Sequence, residues 1–218
     1  MKKIIVLSFA SMSALSLLGG TAVAQPREGV RQQVPVVDDA LEITVAGAYQ
    51  QNEGDLADSG GQPDVSGPGG GGELSLGYRI MPNLTLGAYG SIAGFSGGAA
   101  DRDSASLTAG IKADWHFLPA AYVDPWVSLG AGIKGQWIGE REELDRSVLG
   151  VELAKVQLGV DYRVSRSFAI GPVIGASATM STHENTPMTS GYETIDDKKL
   201  SWTFTAGLLG RFDLLAAD

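Results

Sequence analysis

The chain has 218 residues, a formal net charge of −9 and no cysteine. The acidic balance argues against a nucleic-acid partner, which would require a basic face. Without cysteine no disulfide framework is possible, so stability must come from burial and hydrogen bonding.

The first 24 residues have the three parts of a secretory signal. Lys2 and Lys3 give a basic start, residues 4–18 form a short apolar run, and small residues lead to an Ala-x-Ala site ending at Ala24. The run is too short for a transmembrane helix, which needs ~20 apolar residues. We expect cleavage after Ala24 and export from a bacterial cytoplasm, leaving 194 residues with a formal charge of −11, enough for one domain.

Residues 25–40 contain Pro26 and Pro35 and show little periodicity, which predicts a flexible lead-in. From Leu41 onward apolar and polar residues alternate, and a period of two predicts strands, because successive side chains point to opposite faces of a sheet. Pro172 interrupts one of these segments, where we expect a bulge or poor pairing, since proline lacks a ladder donor. Eight strands are predicted in chain order: residues 41–50, 73–80, 84–95, 104–117, 127–138, 150–164, 168–180 and 200–214.

The connections between the predicted strands alternate between long and short. The short turns are residues 81–83, 118–126 and 165–167, whereas the long connections include residues 51–72, which end in the glycine run Gly69–Gly72. An even number of strands, with long loops at one rim and short turns at the other, is typical of outer-membrane barrels. This pattern predicts that both termini lie on the short-turn side, in the periplasm. The other long connections are residues 96–103, 139–149 and 181–199.

The hairpin over residues 104–138 indicates which face of the barrel meets lipid. One face of its first strand is apolar from Ala105 to Phe117, whereas the opposite face carries Lys112, Asp114 and glycine. A soluble barrel would fill its inside with bulky apolar residues, so we expect this small and charged face to line the lumen. The same alternation predicts that His116 lies at the periplasmic end of the lumen. The predicted lumen charges are Glu42, Glu73, Arg79, Lys112, Asp114, Lys134, Lys155, Asp161, Arg163, Arg211 and Asp213.

Charges inside so narrow a barrel are expected to pair with one another. An eight-stranded barrel is only wide enough for side chains to fill it, and an unpaired buried charge costs several kcal/mol. We therefore predict a plugged, hydrated interior and not an open channel. Aromatic residues fall near the predicted strand ends, where side chains anchor at membrane–water interfaces. The predicted anchors are Trp115, Tyr122, Trp126, Trp137, Tyr162, Trp202 and Phe212.

The centre of the chain carries a family resemblance. Trp-His-Phe-Leu-Pro at 115–119, followed by Asp-Pro-Trp-Val-Ser-Leu-Gly-Ala-Gly at 124–132, resembles the central periplasmic turn of the OmpA-like superfamily of small outer-membrane barrels, which includes OmpX- and OmpW-type proteins. The resemblance implies an all-β fold, an eight-stranded antiparallel up-and-down transmembrane β-barrel over residues 41–218. It also implies contact with outer-membrane lipid and lipopolysaccharide, the barrel-assembly machinery as a partner during biogenesis, and a monomer. Such barrels usually end on an aromatic residue, whereas Phe212 is followed by further residues. We expect no cell-wall anchoring of the kind that the peptidoglycan-binding domain gives full-length OmpA.

Three functions are compatible with these patterns. The first is a structural or surface-interaction role in the outer membrane, with a plugged polar lumen and mobile extracellular loops. The second is a narrow, porin-like conduit for small or apolar solutes. The third is a soluble, lipocalin-like periplasmic barrel.

Catalysis and metal binding receive little support from the sequence. Ser181, His183 and Glu184 form a Ser/His/acid cluster, but adjacent residues on a strand face opposite ways and triad roles depend on three-dimensional spacing. Asp55 and Asp58, with Asp64 further along the same connection, do not have the spacing of a dedicated calcium loop. We therefore predict no enzymatic activity, no metal site and no cofactor.

Overall fold

The computed structural model describes residues 39–54, 67–96, 103–140, 143–185, 191–196 and 198–214. The predicted secretory signal and all but the end of the lead-in lie outside these residues. No helix in the described part is long and apolar enough to cross a membrane. The strands are β1 (Leu41–Glu53), β2 (Gly67–Met81), β3 (Leu84–Phe95), β4 (Asp103–His116), β5 (Val123–Glu140), β6 (Glu143–Arg163), β7 (Phe168–Asn185), β8 (Glu193–Thr194) and β9 (Leu200–Leu214).

Eight of these strands close into an antiparallel barrel. Strands β1 to β7 pair in sequence order, and β7 also pairs with β9. Strand β9 pairs back with β1, from Leu41 opposite Leu214 to Glu53 opposite Trp202, which closes the ring. The short β8 adds only two residue pairs beside the end of β7. The predicted eight-stranded antiparallel up-and-down barrel is confirmed.

Several strands, among them β2, β6 and β7, extend into segments that the sequence predicted to be loops. The glycine run Gly69–Gly72 belongs to β2 and pairs with both β1 and β3, because the neighbouring strands supply the ordering that glycine itself lacks. The ring of Phe95 lies against Gly69, so that a Cβ there would come within 2.5 Å of it. Strand β6 begins at Glu143, well before the predicted 150, and β7 runs on to Asn185. The predicted loops 51–72, 139–149 and 181–199 are therefore wrong in part.

The ladder between β6 and β7 is irregular in three places, one of which is a register shift between Leu149 and Gly150. Opposite Pro172 and Gly171 the ladder has no paired residues between Gly159 and Tyr162, as expected where proline removes a donor. A β-bulge interrupts β6 between Glu152 and Ala154, where the register shifts against both β5 and β7. A bulge inserts one extra residue and thereby reverses which face each following side chain meets.

The barrel is polar inside and apolar outside. Most buried residues in the described part are polar or charged, from Glu42 on β1 to Asp213 on β9. The exposed outer face is apolar on every barrel strand, with Ile111 72% and Ile133 67% exposed. A small apolar cluster lies inside the barrel: Trp126, Val173 and Leu209, with Ala46 packed against it.

Candidate functional site

The lumen near the short turns holds a buried ionic network, which we call the short-turn cluster. Its carboxylates are Glu42, Asp114, Asp124, Asp161 and Asp213, and its cations are Arg79, Lys112, Arg163 and Arg211, with His116 between them. All ten side chains are at least nine-tenths buried. Each comes from an inward position near the end of its strand, which is why the closed barrel brings six separate strands to one place.

Arg211 is the centre of this cluster. Its Nη1 lies 2.7 Å from Glu42 Oε1, and its Nε lies 2.8 Å from Asp161 Oδ2. Asp114 lies further away, at 3.8 Å from Nη1. The guanidinium also lies over the ring of Trp126, 5.0 Å from its centroid, in a cation–π arrangement. Arg211 thus joins β9, the last strand in the chain, to β1, β4, β5 and β6.

A second arginine extends the network along the wall formed by β1, β2 and β9. Arg79 bridges Glu42 at 2.8 Å and Asp213 at 3.3 Å. Asp213 in turn accepts a hydrogen bond from Arg163 at 3.0 Å. Lys112 pairs with Asp114 at 3.0 Å on the opposite wall. The charges therefore form a continuous set of pairs across this end of the lumen.

His116 links the cluster to the turn over residues 117–122. Its Nε2 lies 2.9 Å from Nη1 of Arg211, and a guanidinium can only donate. Nε2 is therefore the acceptor, and Nδ1 carries the hydrogen that is donated to Asp124 at 2.7 Å. The other oxygen of Asp124 accepts the backbone N–H of Leu118 at 2.9 Å. The turn is thereby tied, through two side chains, to the strand that closes the barrel.

Trp126 is not a membrane-interface anchor, and this prediction was wrong. The side chain is 3% exposed and lies inside the barrel, where its Nε1 donates to Asp161 at 2.8 Å. Strand β5 begins at Val123, so Trp126 is an inward residue within the strand and not a rim residue after a turn. Gly159 on β6 provides the space, because a Cβ there would overlap the indole ring.

The lumen toward the long connections contains a cavity, which we call the lumen cavity. It offers about 40 Å³ to the centres of water molecules, which is room for roughly three waters. Small residues leave it open, among them Ala46, Ala48 and Gly175. Its ionisable lining residues are Glu73, Lys134, Glu152 and Lys155, and its other polar lining residues include Gln50, Ser106, Thr108, Gln157, Ser177, Thr203 and Thr205.

The contacts of the four charged cavity residues differ. Lys155 pairs with Glu73 and lies over the ring of Tyr89, 3.9 Å from its centroid. Glu152 accepts a hydrogen bond from the Tyr89 hydroxyl. Lys134 donates to Thr203 Oγ1 at 3.0 Å. Within the described residues, neither Lys134 nor Glu152 forms an ion pair, although both lie in the wall of one cavity.

Each of the eleven predicted lumen charges lies inside the barrel. The closed fold divides them between two sites that the sequence did not separate. Eight belong to the short-turn cluster: Glu42, Arg79, Lys112, Asp114, Asp161, Arg163, Arg211 and Asp213. The remaining three, Glu73, Lys134 and Lys155, line the lumen cavity.

Two buried carboxylates were missed by the sequence analysis. Strict alternation on β6 places Lys155 inward and Glu152 outward, but the bulge between them turns Glu152 into the lumen. No local signal in the sequence marks this bulge. Asp124 was assigned to a turn, whereas it lies in β5 with its side chain fully buried. Asp124 and Trp126 lie four and two residues before the inward-facing Ser128, so alternation extended to the start of β5 would have placed both side chains in the lumen.

The other predicted anchors lie on the outer face of the barrel strands, except Tyr122, which lies in the turn over residues 117–122. Trp137 is half-buried there, and five more are exposed: Trp115, Tyr122, Tyr162, Trp202 and Phe212. Their position fits interface anchoring, which stays a prediction.

The Ser181, His183 and Glu184 cluster lies on β7 and not in a loop. Ser181 is buried inside the barrel, whereas His183 is exposed and its Nδ1 lies 3.1 Å from Thr182 Oγ1. Glu184 pairs with Arg146. His183 and Glu184 therefore have separate partners, and Ser181 lies on the other face of the strand from His183. Asp55, Asp58 and Asp64 lie outside the described residues, within which no cluster of three metal-ligating side chains occurs.

Comparison with known proteins supports the fold. No protein-family model matches the chain, and no characterised protein matches it in sequence. Among solved structures, Neisserial surface protein A is similar at a TM-score of 0.56 and 14% identity, over 80% of this chain and 97% of that one. AlkL, solved in lipid bilayers, has a TM-score of 0.48 and 14% identity, over 84% of this chain and 94% of that one. Ail of Yersinia pestis has a TM-score of 0.43 and 17% identity, over 80% of this chain and 99% of that one. The chain has the fold of the small eight-stranded outer-membrane barrels.

Proposed function

We propose that this protein is an integral outer-membrane barrel with a structural or surface-interaction role. The observation that carries the proposal is the reversed polarity of the barrel. Its exposed face is apolar on every strand, and its interior is mostly polar and charged. In a bilayer only closed barrels satisfy all strand hydrogen bonds, and their lipid-facing residues are apolar.

A soluble lipocalin-like barrel does not account for this surface. A water-soluble monomer rarely exposes a continuous apolar patch larger than a few hundred Å². Here the exposed apolar residues recur at every second position, for example Leu74, Leu76 and Tyr78 on β2. The same positions would face the core of a lipocalin. Lipid is the solvent that this outer face fits.

The lumen supports a structural role better than a transport role. The short-turn cluster fills the barrel across one end with buried, paired charges. The apolar contact of Trp126, Val173 and Leu209 adds a second obstruction. A barrel of eight strands has no width to spare beyond such side chains. Passage of small solutes is the second candidate, favoured only by the lumen cavity.

The proposed orientation places the short turns and both termini in the periplasm. The connections at that rim are residues 82–83, 117–122 and 164–167. At the other rim β1 ends at Glu53 and β2 begins at Gly67, and β7 ends at Asn185 and β9 begins at Leu200. Outer-membrane barrels have short periplasmic turns and longer extracellular loops. The outer face would then contact lipid on the periplasmic side and lipopolysaccharide on the cell exterior, and the barrel-assembly machinery would insert the exported chain.

Every barrel strand is longer than a bilayer requires, and three neighbouring strands exceed that length the most. Strands β5, β6 and β7 have 18, 21 and 18 residues, whereas ~9–11 residues of a tilted strand cross the hydrocarbon. The excess lies at the long-connection rim, where Arg146 pairs with Glu184 and β8 adds to the sheet. This extension is the part of the described chain that we expect to make surface contacts.

Membrane fractionation tests the proposal. We expect the protein to sediment with outer membranes, to require detergent for extraction, and to migrate differently on gels before and after heating. A monomer that stays soluble without detergent would contradict it. Planar-bilayer recording addresses the second candidate: discrete conductance steps would favour a conduit, and their absence is expected for a plugged lumen.

A further inference from the structure

The structure points to a ligand site within the lumen that a structural role does not require. We propose that the lumen cavity binds a small zwitterion of the size of the simplest α-amino acid, with its carboxylate on Lys134 and its ammonium on Glu152. Binding needs neither conduction nor surface contact, so the proposal extends beyond the proposed function.

The first argument concerns charge. Lys134 is 7% exposed and Glu152 is 4% exposed, and within the described residues each bonds only to a neutral group. A buried charge without a counter-charge costs several kcal/mol. Lys134 and Glu152 line the same cavity and attract each other across it, but no salt bridge joins them. A molecule that carries both charges satisfies both, whereas a simple anion or cation satisfies one and repels the other.

The second argument concerns the other charges of the cavity. Lys155 and Glu73 form their own ion pair, so they neutralise each other and leave Lys134 and Glu152 to set the local preference. The hydroxyl of Tyr89 holds Glu152 from one side, and the hydroxyl of Thr203 holds Lys134. The two groups are thus fixed in position, which lowers the entropy cost of binding.

The third argument concerns size and lining. Room for roughly three waters matches a molecule with a carboxylate and an ammonium on a single carbon. Ala46, Ala48 and Gly175 leave this space because larger side chains at these inward positions would fill it. The β6 bulge places Glu152 inward at this level, so without the bulge the anionic half of the site would be absent.

Calorimetry on the full, detergent-solubilised chain with glycine as the probe tests the proposal. We expect saturable one-to-one binding. The variants K134M and E152Q should each weaken glycine binding at least ~10-fold, because each removes one of the two charge contacts. K198M, which removes an exposed cation outside the cavity, is the matched control and should bind as the parent does.

Related probes distinguish binding of a zwitterion from binding of a single charge. Acetate and methylammonium each carry one of the two charges and should bind at least ~10-fold more weakly than glycine, as should trimethylglycine, whose nitrogen has no N–H to donate. Absence of glycine binding by the parent, equal binding of acetate, or unchanged affinity in both variants would each overturn the proposal. Unchanged heat-dependent gel mobility of the variants shows that they fold, and membrane fractionation tests the proposed function separately.

Discussion

Replacing Arg211 by methionine is the sharpest test of the short-turn cluster. In the parent protein the guanidinium pairs with Glu42 at 2.7 Å and with Asp161 at 2.8 Å, in full burial. The described cluster holds five carboxylates and four cations, with His116 accepting at Nε2. Methionine keeps an unbranched apolar stem but lacks the guanidinium, so it leaves five carboxylates with three cations.

The expected loss of stability follows from the charge left behind. Breaking a buried pair by removal of one partner costs about 3–5 kcal/mol, because the other partner stays buried without compensation. The variant E42Q instead leaves four carboxylates with four cations, so its loss should be smaller, about 1–3 kcal/mol for weakened hydrogen bonds to charged groups. The net charge of the cluster thus predicts that R211M loses more stability than E42Q.

Urea unfolding in phosphatidylcholine vesicles measures these free energies, with tryptophan fluorescence and heat-dependent gel mobility as two readouts. R166M is the control, since Arg166 is exposed in the turn over residues 164–167 and its loss should change stability by less than about 0.5 kcal/mol. The double variant E42Q/R211M should lose less than the sum of the single losses, because the two side chains interact. An R211M protein as stable as the R166M protein would refute the reasoning.

Three further predictions follow from the packing and the outer face. The variant G110A should lose about 1–3 kcal/mol of stability, because its Cβ would lie 2.7 Å from the buried ring of Tyr89. A Cβ at Gly47 would meet nothing within 4 Å, so G47A is the control. Equal urea midpoints for the two variants would contradict this prediction. In single-tryptophan variants, brominated lipid should quench Trp202, which is exposed, and spare Trp126, which is inside the barrel; strong quenching of Trp126 would place it at the lipid. I111R should cost about 2–4 kcal/mol in vesicles if it lies near the midplane, since Ile111 is 72% exposed on the outer face; a change within 0.5 kcal/mol, as at a water-exposed position, would argue against a membrane.

The sequence predicted the barrel well because alternation is a local property. Strands β3 and β9 have the predicted bounds, Leu84–Phe95 and Leu200–Leu214, and the inward or outward assignment of every predicted lumen charge agrees with the structure. In each strand the side chain at position i predicts the face of position i+2 without reference to any partner. Pro172 was correctly expected to disturb pairing for the same local reason.

The errors arose where a partner strand decides the outcome. The run Gly69–Gly72 has the composition of a loop, yet β1 and β3 hold it in the sheet and Phe95 covers one of its glycines. Trp126 resembles an interface residue, but Gly159 on the next strand leaves it a place in the lumen. In both cases the decisive residue lies on a different strand from the residue that it affects.

By itself the sequence determined the strand number, the meander and the chemical difference between the two faces, because all three follow from periodicity and from the spacing of turns. Only the tertiary structure decided which lumen charges pair. Closure brings Arg211 on β9 to Glu42 on β1, 169 residues apart in sequence, and the β6 bulge turns Glu152 into the lumen cavity. Such pairings depend on the register between strands, and register is a property of the closed ring that no single strand contains.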